Sequence, residues 1–221
     1  MTPSYRKSLN LSLYLVANRP SFQNEKIFFE KVAAAVRGGV SCVQLRDYTN
    51  NLSTHIETSR RLREMLQRTP LFINTTHPFE VCRAVDAAGV YLEGNSSPSE
   101  ARQQLGENPI IGLQAQSVDQ ITALQNSLEI DYISVKIAPS KKTCPRNDLI
   151  WGLEGFKKIQ SLSFHPLIAI GGLKVSSIES IFRELRLNDG VAMAGGLMDE
   201  EHPDKAAQEI LSLRRKIEAS K

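Results

Sequence analysis

Residues 167–172 read LIAIGG, and residues 191–196 read VAMAGG. Each stretch is a short apolar run, typical of a β-strand buried on both faces, and each ends directly in two glycines. Glycine tolerates positive φ and lets backbone N–H groups approach an anion closely. Two such stretches in succession therefore predict neighbouring parallel strands whose ends form an anion-binding site.

The alternation of a short apolar strand with an amphipathic helix extends outward from these stretches over the whole chain. Strands are predicted at residues 11–17, 41–46, 71–74, 89–92, 109–113, 131–135, 166–170 and 190–194. Helices are predicted at residues 25–37, 53–67, 78–87, 118–126, 149–162, 175–186 and 203–219, and one more begins at Pro98. Eight such units without a linker-like change of composition predict a single α/β domain over residues 1–221, a (β/α)8 TIM barrel. An open, doubly wound sheet is the alternative.

The composition limits the class of protein. The chain has 221 residues, of which 41% are hydrophobic and 23% charged, with a formal net charge of +3. This charge is too small to indicate a nucleic-acid partner, and no stretch approaches the roughly 20 apolar residues of a membrane helix. The three cysteines lack metal-ligand spacing, and residues 9–16 fit a first strand better than a signal peptide. We therefore expect a cytoplasmic protein without a nucleic-acid or membrane partner.

In a (β/α)8 barrel the chemistry takes place at the carboxyl ends of the strands, and the loops after strands seven and eight recurrently bind phosphate. We therefore predict phosphate binding by Gly171, Gly172, Ala194 and Gly195. The alternative is that both glycine pairs form ordinary tight turns. A basic cluster after the sixth strand would attract an anionic substrate to the same face, with a flexible, solvated lysine loop as the alternative; its members are Lys136, Lys141, Lys142 and Arg146.

The strand ends, taken in order, resemble the thiamine-phosphate synthase family, which also includes thiazole tautomerases. The resemblance rests on runs such as VQLR at 43–46, FIN at 72–74, GVYL at 89–92, IIGL at 110–113 and AIGGL at 169–173. It implies a barrel enzyme of thiamine biosynthesis that joins hydroxymethylpyrimidine diphosphate to thiazole phosphate and releases pyrophosphate. It also implies the roles of particular residues. Gln44, Arg46 and Asn74 would bind the pyrimidine diphosphate, Gly172, Ala194 and Gly195 the thiazole phosphate, and Arg46 and Lys142 would be catalytic.

Several positions depart from the family's pattern. The resemblance implies Mg²⁺ held by two aspartates, but these positions are Thr75 and Ser96, so no metal ligand is assigned. A lysine expected after the QLR run is Tyr48, and a serine expected after the fifth strand is Gln114. Asp47 and Glu93 are interpreted as solvated loop acids, with replacement metal ligands as the alternative.

These departures leave three hypotheses about function. The first is thiamine-phosphate synthesis. The second is a different reaction on the same scaffold, such as isomerisation of a thiazole phosphate. The tautomerase histidine aligns with Gln116, so His77 is the histidine to test, although a turn or cap residue before Pro78 is the favoured interpretation of it. The third is a non-catalytic module that binds a small phosphorylated heterocycle. A homo-oligomer is compatible with all three.

Overall fold

The computed structural model describes residues 9–93, 96–115, 117–137 and 150–221, and its eight parallel strands form a closed barrel. Consecutive strands pair in chain order, and β1 pairs with β8 to close the sheet. The strands are β1 (Leu13–Asn18), β2 (Cys42–Asp47), β3 (Leu71–Thr75), β4 (Gly89–Leu92), β5 (Ile110–Gln114), β6 (Tyr132–Lys136), β7 (Leu167–Ile170) and β8 (Gly190–Met193). The predicted (β/α)8 barrel is confirmed, and the alternative of an open sheet is wrong.

Helices follow the strands and cover the outside of the barrel. They are α1 (Glu25–Arg37), α2 (Leu52–Leu66), α3 (Pro78–Val85), α4 (Pro98–Leu105), α5 (Val118–Leu124), α6 (Gly152–Leu162), α7 (Glu179–Glu184), α8 (Gly195–Met198) and α9 (Pro203–Glu218). None of the helices in the described ranges is both long and apolar enough to cross a membrane.

Two of these helices differ from the sequence prediction by more than three residues. The stretch 175–186 is a 3₁₀ turn, Val175–Ser177, followed by the shorter α7. The Asp189 carboxylate accepts a hydrogen bond from the Arg186 backbone N–H at 3.0 Å, which bends the chain into β8 instead of extending the helix. The short helix α8 was not predicted, since the second glycine pair resembled a turn.

Polar side chains fix where several helices begin above the strand ends. Asn24, Asn51, Ser97 and Ser117 each accept a hydrogen bond from the backbone N–H three residues later. Such N-caps satisfy amide groups that have no partner inside the helix. They define the ends of the loops that leave the upper face of the barrel.

The barrel interior is filled by aromatic side chains below this upper face. Tyr14, Phe72 and Tyr132 point inward and are almost fully buried. The rings of Tyr14 and Phe72 stack with centroids 5.6 Å apart, and the hydroxyls of Tyr14 and Tyr132 lie 3.0 Å apart. Because this packing closes the barrel from below, a ligand reaches the inward-facing side chains from the carboxyl ends of the strands.

Candidate active site

A cavity of about 830 Å³ opens at the carboxyl ends of the strands. Side chains alternate across each strand, so residues two apart share the inner face. Cys42 faces the barrel interior, and Gln44 and Arg46 therefore follow it upward on the inner face of β2. The residues that line the cavity include Asn18, Arg46, Tyr48, Tyr91, Glu93, Gln114, Lys136, Lys174, Gly171, Gly172, Ala194, Gly195 and Gly196.

The two glycine pairs lie together on one side of this cavity. Gly171 and Gly172 have φ of 108° and 61°, which side chains of L-residues rarely adopt. A Cβ atom at Gly196 would overlap the backbone carbonyl oxygen of Leu173. These loops are thus tight turns that also present their backbone to the cavity, and the two interpretations made from the sequence are compatible. Ala194 and Gly195 line the same wall.

The opposite side of the cavity carries a polar network built on Arg46, Tyr48, Asn74 and Glu93. Asn74 Nδ2 donates to Glu93 Oε1 at 3.2 Å, and the Tyr48 hydroxyl donates to Glu93 Oε2 at 3.3 Å. The same hydroxyl proton of Tyr48 is shared with Asn74 Oδ1. Arg46 forms an ion pair with Glu93, with an N–O distance of 3.7 Å, and its guanidinium lies 5.8 Å from the centre of the Tyr48 ring.

The protonation of Tyr48 fits this network. Burial, followed by the negative charge of Glu93, raises the pKa of the Tyr48 phenol above its usual value. The phenol therefore stays protonated at neutral pH and acts as a donor. Glu93 is only half-buried, but it is not a solvated loop acid, because both of its carboxylate oxygens contact donors of this network.

Gln44 lies below Arg46 and differs from the residues of the network. Its side chain is 1% exposed, and its Nε2 atom has no hydrogen-bond partner among the described residues. A buried amide donor without a partner typically costs about 1–3 kcal/mol of stability. Such a group is expected where a ligand supplies the missing acceptor.

Asp47 does not contribute to the cavity. It points away from the barrel interior toward α2, and its carboxylate accepts hydrogen bonds from Thr49 and Asn50 at 2.5–3.0 Å. Burial alone would raise the pKa of Asp47, but these hydrogen bonds outweigh it and hold the pKa below the usual value. The interpretation of Asp47 as a solvated acid is therefore wrong, and in its observed orientation its carboxylate does not face the cavity.

Other candidate residues have different outcomes. Lys142 and Gln116 lie outside the described residues. His77 precedes α3, and its Nδ1 lies 2.9 Å from the Thr76 hydroxyl, outside the cavity lining. It is thus a turn residue. Lys174, which follows β7, lines the cavity and was missed, since nothing in its local pattern separates it from a solvated loop lysine.

The geometry defines a (β/α)8-barrel protein whose mouth places backbone turns opposite a network of arginine, amide and carboxylate groups. A family model described as thiamine monophosphate synthase matches residues 13–197. The thiamine-phosphate synthase of Vibrio parahaemolyticus is 35% identical over 185 residues, covering 82% of this chain and 88% of that protein. The one from Albidiferax ferrireducens is 33% identical, covering 95% and 93%.

A solved structure supports the same assignment. The thiamine phosphate pyrophosphorylase from Pyrococcus furiosus superposes with a TM-score of 0.78 at 25% identity, covering 94% of this chain and 96% of that one. The chain belongs to the thiamine-phosphate synthase family, a family of thiamine-biosynthesis enzymes, as the resemblance of its motifs implied.

Proposed function

We propose that this protein joins hydroxymethylpyrimidine diphosphate to thiazole phosphate, forms thiamine phosphate and releases pyrophosphate. The observation that carries the proposal is the arrangement of the cavity. The glycine turns line one wall of the cavity, and Arg46 lines the opposite wall. Asn74 contacts Glu93, the partner of Arg46, and Gln44 lies below Arg46 on β2. A cavity with backbone turns on one side and arginine and amide groups on the other suits two phosphorylated substrates that must meet between them.

Each group has a distinct proposed role. Backbone N–H groups of Gly172 and Gly195 would bind the thiazole phosphate, with Gly171 and Ala194 shaping the turns. The Gln44 amide would donate to the pyrimidine ring, and Asn74 would hydrogen-bond the diphosphate group. The roles are assigned by resemblance and supported by where these residues lie.

The reaction forms one bond and breaks another. The ring nitrogen of the thiazole forms a bond to the methylene carbon of the pyrimidine, and the C–O bond between this carbon and the diphosphate breaks. Pyrophosphate leaves with the electron pair. Arg46, Lys136 and Lys174 line the cavity and carry the positive charge that would stabilise this leaving group. By resemblance we assign the same task to Lys142.

The described residues do not fit the Mg²⁺ site that the family resemblance implies. The hydroxyl of Thr75 faces the backbone N–H of His77 at 3.4 Å, and the hydroxyl of Ser96 donates to the Glu93 backbone carbonyl at 2.8 Å. Within the described residues no three acidic, histidine or cysteine side chains are grouped to hold a metal. Mg²⁺ prefers hard oxygen ligands, usually carboxylates, and Thr75 and Ser96 supply no carboxylate.

The proposed substrates are small phosphorylated heterocycles, and we place the reaction in the cytoplasm of the cell. We also propose that residues 1–221 form one domain. The experiment incubates the protein with both substrates, with and without Mg²⁺, and measures thiamine phosphate and pyrophosphate by mass spectrometry. We expect the two products in a 1:1 ratio.

A matched pair of variants makes the assay specific. Arg46→Gln should lower the rate about 10²–10³-fold, as is typical when one donor to a developing anion is lost. Arg60→Gln, an exposed arginine on α2, should leave the rate unchanged. No product above the uncatalysed background, or equal rates for the two variants, would contradict the proposal.

A second candidate function is binding of thiazole phosphate without synthesis. One observation favours it: Glu93 already forms an ion pair with Arg46 and accepts a hydrogen bond from Asn74. Calorimetry would then show thiazole phosphate binding in a protein that yields no product. Isomerisation of the thiazole is less well supported, because all four histidines lie in the described ranges and none of them lines the cavity.

A further inference from the structure

Three donors of the cavity wall converge on a single carboxylate of the protein itself. Glu93 Oε1 accepts from Asn74 Nδ2 at 3.2 Å, while Glu93 Oε2 lies 3.3 Å from the Tyr48 hydroxyl and 3.7 Å from an Arg46 nitrogen. A phosphate group binds in the same manner, with its oxygens accepting from an arginine and neutral donors. Glu93 thus holds the contacts that an anionic ligand would use.

The local backbone keeps Glu93 in this place. Glu93 lies two residues after Tyr91 and continues the inward-facing row of β4. The Ser96 hydroxyl also donates to the Glu93 backbone carbonyl at 2.8 Å, so the backbone of Glu93 has a side-chain partner at the end of β4.

The residues Arg46, Tyr48, Asn74 and Glu93 form the diphosphate subsite, and this subsite carries less positive charge than the family resemblance implies. Tyr48 replaces the lysine that the family resemblance implies, so one positive charge is absent, and the Glu93 carboxylate opposes the charge of Arg46. The side chains of Arg46 and Glu93 are 29% and 26% exposed, so their interaction is only partly screened by water. An entering diphosphate meets a neutralised arginine and a carboxylate of like charge.

We propose that Glu93 is a specificity-determining residue, an internal anion that occupies the diphosphate subsite and must turn away before a diphosphate or pyrophosphate binds. The inference rests on the proposed function only for the identity of the subsite's ligand. Its consequence is weak retention of pyrophosphate, so the released product would inhibit the protein poorly.

The test is calorimetric binding of inorganic pyrophosphate in metal-free buffer. Glu93→Gln removes the charge and keeps the size of the side chain, and Glu93→Ala removes the competing group altogether. Both variants should bind pyrophosphate about tenfold more tightly than the unaltered protein, the scale expected for a partly screened charge at this distance. Thermal unfolding verifies that each variant is folded.

Two controls separate local occupancy from a general change of charge. Glu200→Gln removes an exposed acidic residue that also lines the cavity, and it should change pyrophosphate affinity less than about twofold, because exposed charges are screened. The double variant Glu93→Gln with Arg46→Gln should lose the gain. Thiazole phosphate affinity should be the same in Glu93→Gln and in the unaltered protein.

The inference is overturned if neither Glu93 variant gains affinity, if Glu200→Gln gains as much, or if the gain persists without Arg46. These outcomes do not depend on turnover. A protein that makes no thiamine phosphate but binds pyrophosphate more tightly as Glu93→Gln would refute the proposed function and support this inference.

Discussion

Gln44 and Asn74 are two buried amides on adjacent strands, and replacing each by an apolar residue of similar size should change stability in opposite directions. Gln44 is 1% exposed and its Nε2 atom lacks a partner among the described residues. Asn74 is 3% exposed and has partners at both ends, because it accepts from Tyr48 and donates to Glu93. The perturbations are Gln44→Met and Asn74→Leu.

The magnitudes follow from these hydrogen bonds. Gln44→Met removes an unsatisfied buried donor and should raise the free energy of unfolding by about 1 kcal/mol, at the low end of the usual penalty. For a chain of this length the melting temperature should rise by about 2–4 °C. Asn74→Leu breaks two satisfied contacts and should lower the free energy of unfolding by about 1–2 kcal/mol.

The assay combines urea unfolding with the synthase measurement. Gln44→Met should be more stable than the unaltered protein and yet lose most of its turnover, because the amide that meets the pyrimidine is gone. Asn74→Leu should lose both stability and turnover. If Gln44→Met is destabilised as much as Asn74→Leu, the unpartnered amide is not held in reserve for a ligand, and the reasoning fails.

Three further predictions concern other parts of the barrel. Gly172→Ala places a Cβ at φ of 61° beside the cavity and should weaken thiazole phosphate binding at least about tenfold, whereas Gly106→Ala, also at positive φ but with no atoms nearby, should leave calorimetric affinity unchanged. Arg102→Met should lower the free energy of unfolding by about 1–3 kcal/mol in urea titrations without changing KM, because it removes the ion pair to the Asp131 carboxylate at 2.7 Å and the hydrogen bond to the Pro109 carbonyl at 2.6 Å, both on the side opposite the cavity. Burial lowers the pKa of His55 below its usual value, so the unfolded chain binds more protons than the folded one. The contribution of His55 to the free energy of unfolding should be fully present above about pH 6.5 and should be lost as the pH falls. Unfolding curves of His55→Leu measured at several pH values should lack this part of the decline.

The fold could be predicted from the sequence because each unit carries its own local signals. Apolar runs mark the strands and Pro98 marks the start of α4, and α1 and β4 have the predicted bounds. The end of α7 could not be predicted, since it depends on a hydrogen bond from Arg186 to Asp189 within a turn.

The candidate site could be predicted in position but only partly in its interactions. The rule that chemistry lies at the strand ends, with family resemblance, found Arg46, Asn74 and both glycine pairs. The pairing of Glu93 with Arg46 was missed, because residues 47 positions apart in sequence meet only through the closed barrel. Alternation along β2 also places Asp47 on the outer face of the strand, away from Arg46. The orientation of Asp47 could not be predicted, because it depends on which face of β2 is the inner one.

The central claim is that one cavity holds the two phosphorylated groups on opposite walls. A crystal structure of the protein with thiazole phosphate and pyrophosphate tests this claim most directly. We predict the thiazole phosphate within hydrogen-bond distance of the Gly172 and Gly195 backbone N–H groups, and pyrophosphate on Arg46 with the Glu93 carboxylate turned away. Thiazole phosphate bound elsewhere, or pyrophosphate bound while Glu93 still contacts Arg46, would contradict the account.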